Sequence, residues 1–194
     1  MLIETNIIKS AYSVIDKREI REHLKCVCFD YDADSCELAI VGTDAQCMII
    51  NKVKINSADA DFCKKWFSDN TGYYITDACL GKAAFCDFGE LDGKLVCNGV
   101  ILAKLDMSYP NWRAIVPEKS LGYATKYCGF RPDLIKKIDK ALGYKNGSTI
   151  ITTVPRVNTD DEQEFLCAHR WDLHEYKDCD TVVLCMPMRL TFNE

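Results

Sequence analysis

Thr181-Val182-Val183-Leu184-Cys185-Met186-Pro187-Met188-Arg189-Leu190, close to the end of this chain, reads as a buried strand with a frayed end. Its β-branched and apolar side chains fill a pleated surface, and few polar groups interrupt them. Pro187 has no amide hydrogen to give to a ladder, so central pairing ends there. Beyond it, Met188 and Leu190 put apolar surface on either side of Arg189. A Met-rich, partly unpaired strand end is a plausible wall for an adaptable binding groove. Periodicity alone gives the plainer alternative, a buried terminal strand and nothing more.

Working outward, 194 residues suffice for one large domain or two small ones with a real core. The hydrophobic fraction of 48% and charged fraction of 27% are ordinary for soluble globular proteins. No apolar run reaches the length of a bilayer span. Met1-Leu2-Ile3-Glu4-Thr5-Asn6 lacks the basic start and apolar stretch of a secretory signal, so a cytoplasmic protein is expected. A net charge of −5 argues against coating DNA by bulk charge, though not against one basic face.

Twelve cysteines would matter if they were grouped. No Cys-x-x-Cys pair occurs, and His23, His169 and His174 do not accompany cysteines at zinc-site spacing, so no metal or cofactor is expected. Cys26, Cys28, Cys36, Cys47, Cys97, Cys128, Cys167 and Cys185 lie in or beside strand-like runs, where a thiol acts as a small apolar filler. His169 and His174 flank Trp171 in a further strand-like run. A cysteine-nucleophile enzyme has only the cysteine count behind it, since no Cys/His/Asp arrangement at recognisable spacing is present. No catalytic residue is assigned.

Short strands at regular intervals, broken by a few short helices, form the pattern. Residues 7–15 place Ile7, Ala11, Val14 and Ile15 at helical spacing, and Asp16-Lys17-Arg18-Glu19 ends it. Strands read at 24–30, 37–43 and 46–55, with turns at Asp32-Ala33-Asp34 and Thr43-Asp44. A second unit runs from the charged, aromatic stretch 61–70 through a strand at 73–76 to a helix at 77–88, capped by Thr76 or Asp77. Strands at 95–100 and 100–106 follow, with turns at Asp92-Gly93 and Asn98-Gly99. The third unit has strands at 123–130, 149–154, 165–171 and 181–186 and a polar loop at 157–164. Its helix spans 132–142, with Pro132 in the first turn and Gly143 as the stop. Leu134, Ile135, Ile138, Ala141 and Leu142 share one side of it, and Asp133, Lys136, Lys137 and Lys140 the other. Lead-in, helix and several strands thus recur three times, which predicts an α+β architecture of short helices packed on curved antiparallel sheet.

Four ordered segments resemble one family. Asp16-Lys17-Arg18-Glu19-Ile20-Arg21-Glu22-His23-Leu24, continuing to Leu38-Ala39-Ile40-Val41-Gly42-Thr43-Asp44, resembles the start of the central domain of the bacterial DNA polymerase III beta subunit, the sliding clamp. Tyr109-Pro110-Asn111-Trp112-Arg113-Ala114-Ile115-Val116-Pro117 resembles the close of that domain. Gly129-Phe130-Arg131-Pro132-Asp133-Leu134 to Ala141-Leu142 resembles the second half of the last domain, and Met186-Pro187-Met188-Arg189-Leu190 resembles the carboxyl end. The resemblance implies DNA-clamp-like repeats, with a central-domain-like region at 1–117 and a partial C-terminal-domain-like region at 118–194.

It also implies a non-enzymatic DNA replication protein that holds clamp-binding linear motifs of polymerases or repair factors in a peptide groove. Carried over by position, that groove comprises Leu24, Thr43, Gln46, Cys47, Met48, Pro117, Leu184, Cys185, Met186, Pro187, Met188, Arg189 and Leu190. Helices of such a protein face duplex DNA and touch phosphates without reading sequence. Here Lys126, Arg131, Lys136, Lys137 and Lys140 would supply that weak contact, though a solvated helix face carries the same pattern. The family's Gly-His-Arg-Leu after Thr-Asp is replaced by Ala45-Gln46-Cys47-Met48, and Thr191-Phe192-Asn193-Glu194 extends past the usual end. With the family's first domain and half of its last unmatched, a ring acting as a processivity factor would need a homo-oligomer. The alternative is a truncated clamp mimic that competes for clamp partners or pairs with a host clamp.

Overall fold

The first elements of the chain set one helix against one sheet. The structure, a computed structural model, describes residues 1–116, 131–143, 169–176 and 179–185. A short strand β1 (Leu2–Glu4) leads into helix α1 (Thr5–Ser13), which buries Ile7, Ile8 and Ala11. The antiparallel meander β2 (Val27–Asp32), β3 (Glu37–Thr43) and β4 (Cys47–Lys54) follows. Helix α2 (Ala60–Trp66), strand β5 (Thr71–Tyr74) and the single turn α3 (Asp77–Leu80) come next. Strands β6 (Phe85–Leu91), β7 (Lys94–Cys97), β8 (Val100–Ile101) and β9 (Ala103–Lys104) complete the first region. Helix α4 (Pro132–Leu142) and strands β10 (His169–Tyr176) and β11 (Cys179–Cys185) belong to the second.

Two sheets result, with every described pairing antiparallel. One runs β1-β6-β7-β8, and the other, of seven strands, runs β10-β11-β4-β3-β2-β5-β9. β11 pairs with β4 from Asp180↔Lys52 to Cys185↔Cys47, so a strand from the second region continues the sheet of the first. The α+β architecture expected from the sequence is present.

Period-two alternation sorts the large sheet into two faces. Val27, Phe29, Leu38 and Ile40 point to α1 and the smaller sheet, around a core in which Phe29 stacks on Phe67 at 4.9 Å and meets Phe88 edge-on at 5.7 Å. Cys28, Ala39, Val41, Met48, Ile50, Val182 and Leu184 form a separate cluster on the other face, covered by Leu105, Tyr109 and Trp112. Trp112 is held there by its indole N–H, which donates to buried Asp30 at 3.0 Å, and Arg113 pairs with the same carboxylate. Every member of this cluster is buried.

Contact between α1 and the sheet is unusually close at Gly42. A Cβ there would lie 1.8 Å from the Ala11 carbonyl oxygen, so only glycine lets the helix backbone sit on β3. Beside it, a buried polar knot ties three elements. The Asn51 amide donates to the Ile7 carbonyl at 2.8 Å and to Ser10 Oγ at 2.6 Å, and Thr181 Oγ1 on β11 donates to Asn51 Oδ1 at 2.8 Å. Polar groups this deep are stabilising when each finds a partner and costly when one is removed.

Several boundaries differ from the sequence reading. The helix expected at 77–88 is one turn long, because Gly81 leaves it with φ 49° and Phe85-Cys86-Asp87-Phe88 alternates exposed and buried as β6. Thr76 does cap it, accepting the Cys79 amide. The stretch 61–70, given no element, is largely α2. The strand expected from residue 24 starts at Val27, since Glu22–Leu24 is a 3-10 turn. The strand expected at 100–106 is divided, with β8 in the small sheet and β9 in the large one. The strand expected at 73–76 is β5, two residues earlier, and that expected to 171 continues to Tyr176. Cys36 is no apolar filler: it is exposed in the β2–β3 turn with φ 53°. The turns at Asp92-Gly93 and Asn98-Gly99 have positive φ at both positions, as tight hairpins require. The strands expected at 123–130 and 149–154 and the loop at 157–164 lie outside the described residues.

Candidate functional site

A cleft of about 320 Å³ opens where β4, β11 and the covering segment meet. Leu24, Thr43, Gln46, Cys47, Met48, Leu184 and Cys185 all line it, drawn from three separate parts of the chain. They are neighbours because Met48 pairs directly with Leu184 and with Thr43, and Cys47 with Cys185. Pro117 and Met186, Pro187, Met188, Arg189 and Leu190 lie outside the described residues. The cleft also takes in Arg21, His23, Ala45, Pro110 and Ile115, which the sequence reading did not assign. A signal existed for the last two, since they belong to the same quoted segment as Pro117. Ile115 keeps 47% of its surface exposed there, an apolar group without cover.

Tight hydrogen bonding shapes the β3–β4 turn that forms one wall. Thr43 Oγ1 accepts the Ala45 amide at 3.0 Å and donates to the Cys47 carbonyl at 2.9 Å. Asp44 Oδ1 accepts the amides of Gln46 at 2.9 Å and Cys47 at 2.8 Å, and Oδ2 pairs with Lys137 of α4. Burial pushes the Asp44 pKa up, but the Lys137 bond and the two amides outweigh it and hold the group below the usual carboxylate range. Burial and the nearby Asp44 charge raise the Cys47 thiol well above its ordinary value, so it stays protonated and is a poor nucleophile. On the rim, Glu19 accepts the Ile20 and Arg21 amides and pairs with the Arg21 guanidinium, which holds its carboxyl at about 2.

Behind the wall, α4 packs on the opposite side of β4 and β11. Leu134, Ile138, Ala141 and Leu142 bury against Ile49 and Val183, with Val14 beside them. Pro132 starts the helix, and Gly143 ends it in the left-handed region at φ 65°. Of the basic residues expected on its outer side, Lys136 and Lys140 are exposed. Arg131 pairs with Asp133 and donates to Gln46 Oε1 at 3.2 Å, and Lys137 is engaged by Asp44. Lys126 lies outside the described residues.

Lys140 also borders a trough of about 530 Å³ between α1, α3 and α4, together with Lys9, Lys17, Tyr12 and Asp77. Lys17 pairs with Asp77 at 3.0 Å, and Lys9 donates to the Gly81 carbonyl at 3.0 Å. The sequence reading did not group these lysines, because they become neighbours only when α1 and α4 pack side by side. Among the described residues no three His, Cys, Asp or Glu side chains converge as a metal site. No helix among them is long and apolar enough to cross a membrane.

No protein-family model matches the sequence, and no curated protein matches it. Solved structures do. The Bartonella birtlesii DnaN sliding clamp, DNA polymerase III subunit beta, bound to griselimycin, superposes with a TM-score of 0.57 at 11% identity, over 97% of this chain and 66% of that one. The H. pylori beta clamp in complex with diflunisal gives 0.53 at 14% identity, again over 97% and 66%. The C. crescentus beta sliding clamp gives 0.53 at 11% identity, over 98% and 65%. This chain therefore spans just under two thirds of the length of the clamps it matches, and it has the fold of the bacterial DNA polymerase III beta clamp.

Proposed function

We propose that this protein is a clamp-like, non-enzymatic component of DNA replication or repair that holds short extended peptides in the cleft between β4, β11 and the 110–115 segment. Its occupants would be clamp-binding linear motifs of DNA polymerases or repair proteins. The observation that carries this reading is the convergence of Leu24, Thr43, Gln46, Cys47, Met48, Leu184 and Cys185 into one largely apolar cleft. An extended peptide supplies alternate side chains to such pockets while its backbone stays near the rim. Pro117 and the run Met186-Pro187-Met188-Arg189-Leu190 belong to the same proposed groove by resemblance, as continuations of its walls in sequence. The B. birtlesii clamp is bound to griselimycin in its structure and the H. pylori clamp is in complex with diflunisal, which suits a ligand-binding clamp.

Duplex DNA is the second proposed ligand, bound weakly and without sequence preference through Lys136 and Lys140, with Lys126, in a cytoplasmic setting. Its affinity falls steeply with salt, because each phosphate contact releases condensed counterions. Assembly into a ring as a homo-oligomer belongs to the same proposal and is read by light scattering at several protein concentrations.

Fluorescence anisotropy with a labelled clamp-binding peptide from a bacterial replicative polymerase tests the peptide reading. Saturable binding that weakens at least about fivefold in a Met188→Ala, Leu190→Ala double variant supports it, since two anchor side chains are removed. Absence of binding, or affinity indifferent to that double variant, refutes it.

A further inference from the structure

We infer that Lys137 is a positioning residue for the cleft, acting through Asp44, and that its role is to fix the β3–β4 turn. This rests on the reading of the cleft as a peptide site. Thr43, Ala45, Gln46 and Cys47 all line the cleft, whereas Asp44, in their midst, does not. Its carboxylate instead joins the turn to the helix: Oδ1 takes two turn amides and the Cys47 thiol, and Oδ2 takes Lys137.

The turn needs such an anchor. Ala45 sits at φ 69°, a left-handed conformation that is unfavourable for an L-residue and persists only when its surroundings impose it. Asp44 keeps 11% of its side-chain surface exposed and Lys137 27%, so this pair is far better shielded than an ordinary surface ion pair. Removing one partner leaves a shielded charge unpaired, which costs more than the pair's net value. The neighbouring Lys136 is exposed, and so offers an internal control of equal charge. Arg131 adds a second tie from α4 to the same turn through Gln46. Lys137 thus holds four cleft-lining residues in register without entering the cleft, and its ammonium is taken by a carboxylate before any phosphate could reach it.

The experiment compares Lys137→Met, Lys137→Arg and Lys136→Met in the full chain. Three readouts are taken: backbone amide shifts of Ala45, Gln46 and Cys47; affinity for the labelled polymerase peptide; and affinity for a labelled duplex. The expected result is that Lys137→Met moves those three amides and weakens the peptide about tenfold, the loss of roughly one charge-assisted bond. It leaves duplex affinity within about twofold. Lys137→Arg restores both amides and peptide, because a guanidinium can still reach the carboxylate. Lys136→Met does the reverse, lowering duplex affinity alone. Unmoved amides in Lys137→Met overturn the inference whether or not any peptide binds. Moved amides with no peptide binding by the wild-type chain instead overturn the peptide reading and leave Lys137 as the anchor of the turn. Equal loss of duplex affinity in Lys137→Met and Lys136→Met, with the peptide unaffected, returns Lys137 to the phosphate-contacting set and overturns its positioning role.

Discussion

On one side of the paired strands β4 and β11, Met48 and Leu184 face the cleft with Leu24, Pro110 and Ile115; on the other, Ile49 and Val183 are sealed beneath α4. The same ladder supplies both, by alternation alone. On the α4 side the apolar surface is closed by Leu134, Ile138 and Leu142, so those side chains serve stability. On the cleft side the covering segment leaves a cleft beside Met48 and Leu184, and Ile115 at its rim stays 47% exposed. A truncation on the first side is therefore read in the melting curve, and one at the rim of the second in binding.

The largest expected effect erases the comparison. Gly42→Val drives a side chain into the Ala11 carbonyl, where even a Cβ would stand at 1.8 Å, and lifts α1 from the sheet. A loss of about 3 kcal/mol or more is expected in chemical denaturation, with both surfaces disordered together. Asn51→Ala comes next, at about 2 kcal/mol, because it removes three hydrogen bonds at once from a buried site. Hydrogen exchange should then show β11 amides opening before those of β2 and β3.

The antiparallel meander was legible in the sequence because its signal is local. Residues 37–43 carry the continuous apolar run Leu38-Ala39-Ile40-Val41 and are flanked by turn residues, and β3 spans those positions. Helix α4 was equally plain, with an apolar stripe, Pro132 at one end and Gly143 at the other. The sequence pattern carries a helix on to Phe88 because Asp77-Ala78-Cys79-Leu80 begins one, whereas Gly81 ends it and Phe85 opens β6. The cleft was half legible. Leu24, Met48 and Leu184 came from resemblance, but Ile115 and Arg21 reach it only through the Trp112–Asp30 anchor and the Glu19 turn, contacts between residues up to 82 positions apart. The lysine trough was invisible for the same reason. Lys9 and Lys140 come to line one trough through helix packing, which no spacing along the chain encodes.

Ile115→Ala sharpens the comparison from the cleft side. This residue is half exposed, so stability should change by no more than about 0.5 kcal/mol, while peptide affinity falls about fivefold. The smallest effect is confined to acid. The Asp44 pKa is held below its ordinary 3.8 in the folded chain, so its stabilisation is complete above that value and disappears as pH falls through the lower, folded one. The stability gap between wild type and Asp44→Asn should accordingly be constant from neutral pH down to about 4 and narrow below it.

The central claim is that the cleft lined by Met48 of β4 and Leu184 of β11 receives a peptide. Methyl NMR of the full chain, titrated with the polymerase peptide, tests it most directly. The account predicts saturable shifts at the methyls of Leu24, Met48, Ile115 and Leu184, with Ile49 and Val183 on the α4 side nearly still. Shifts confined to the α4 side, or none at any of these methyls at saturating peptide, would contradict it.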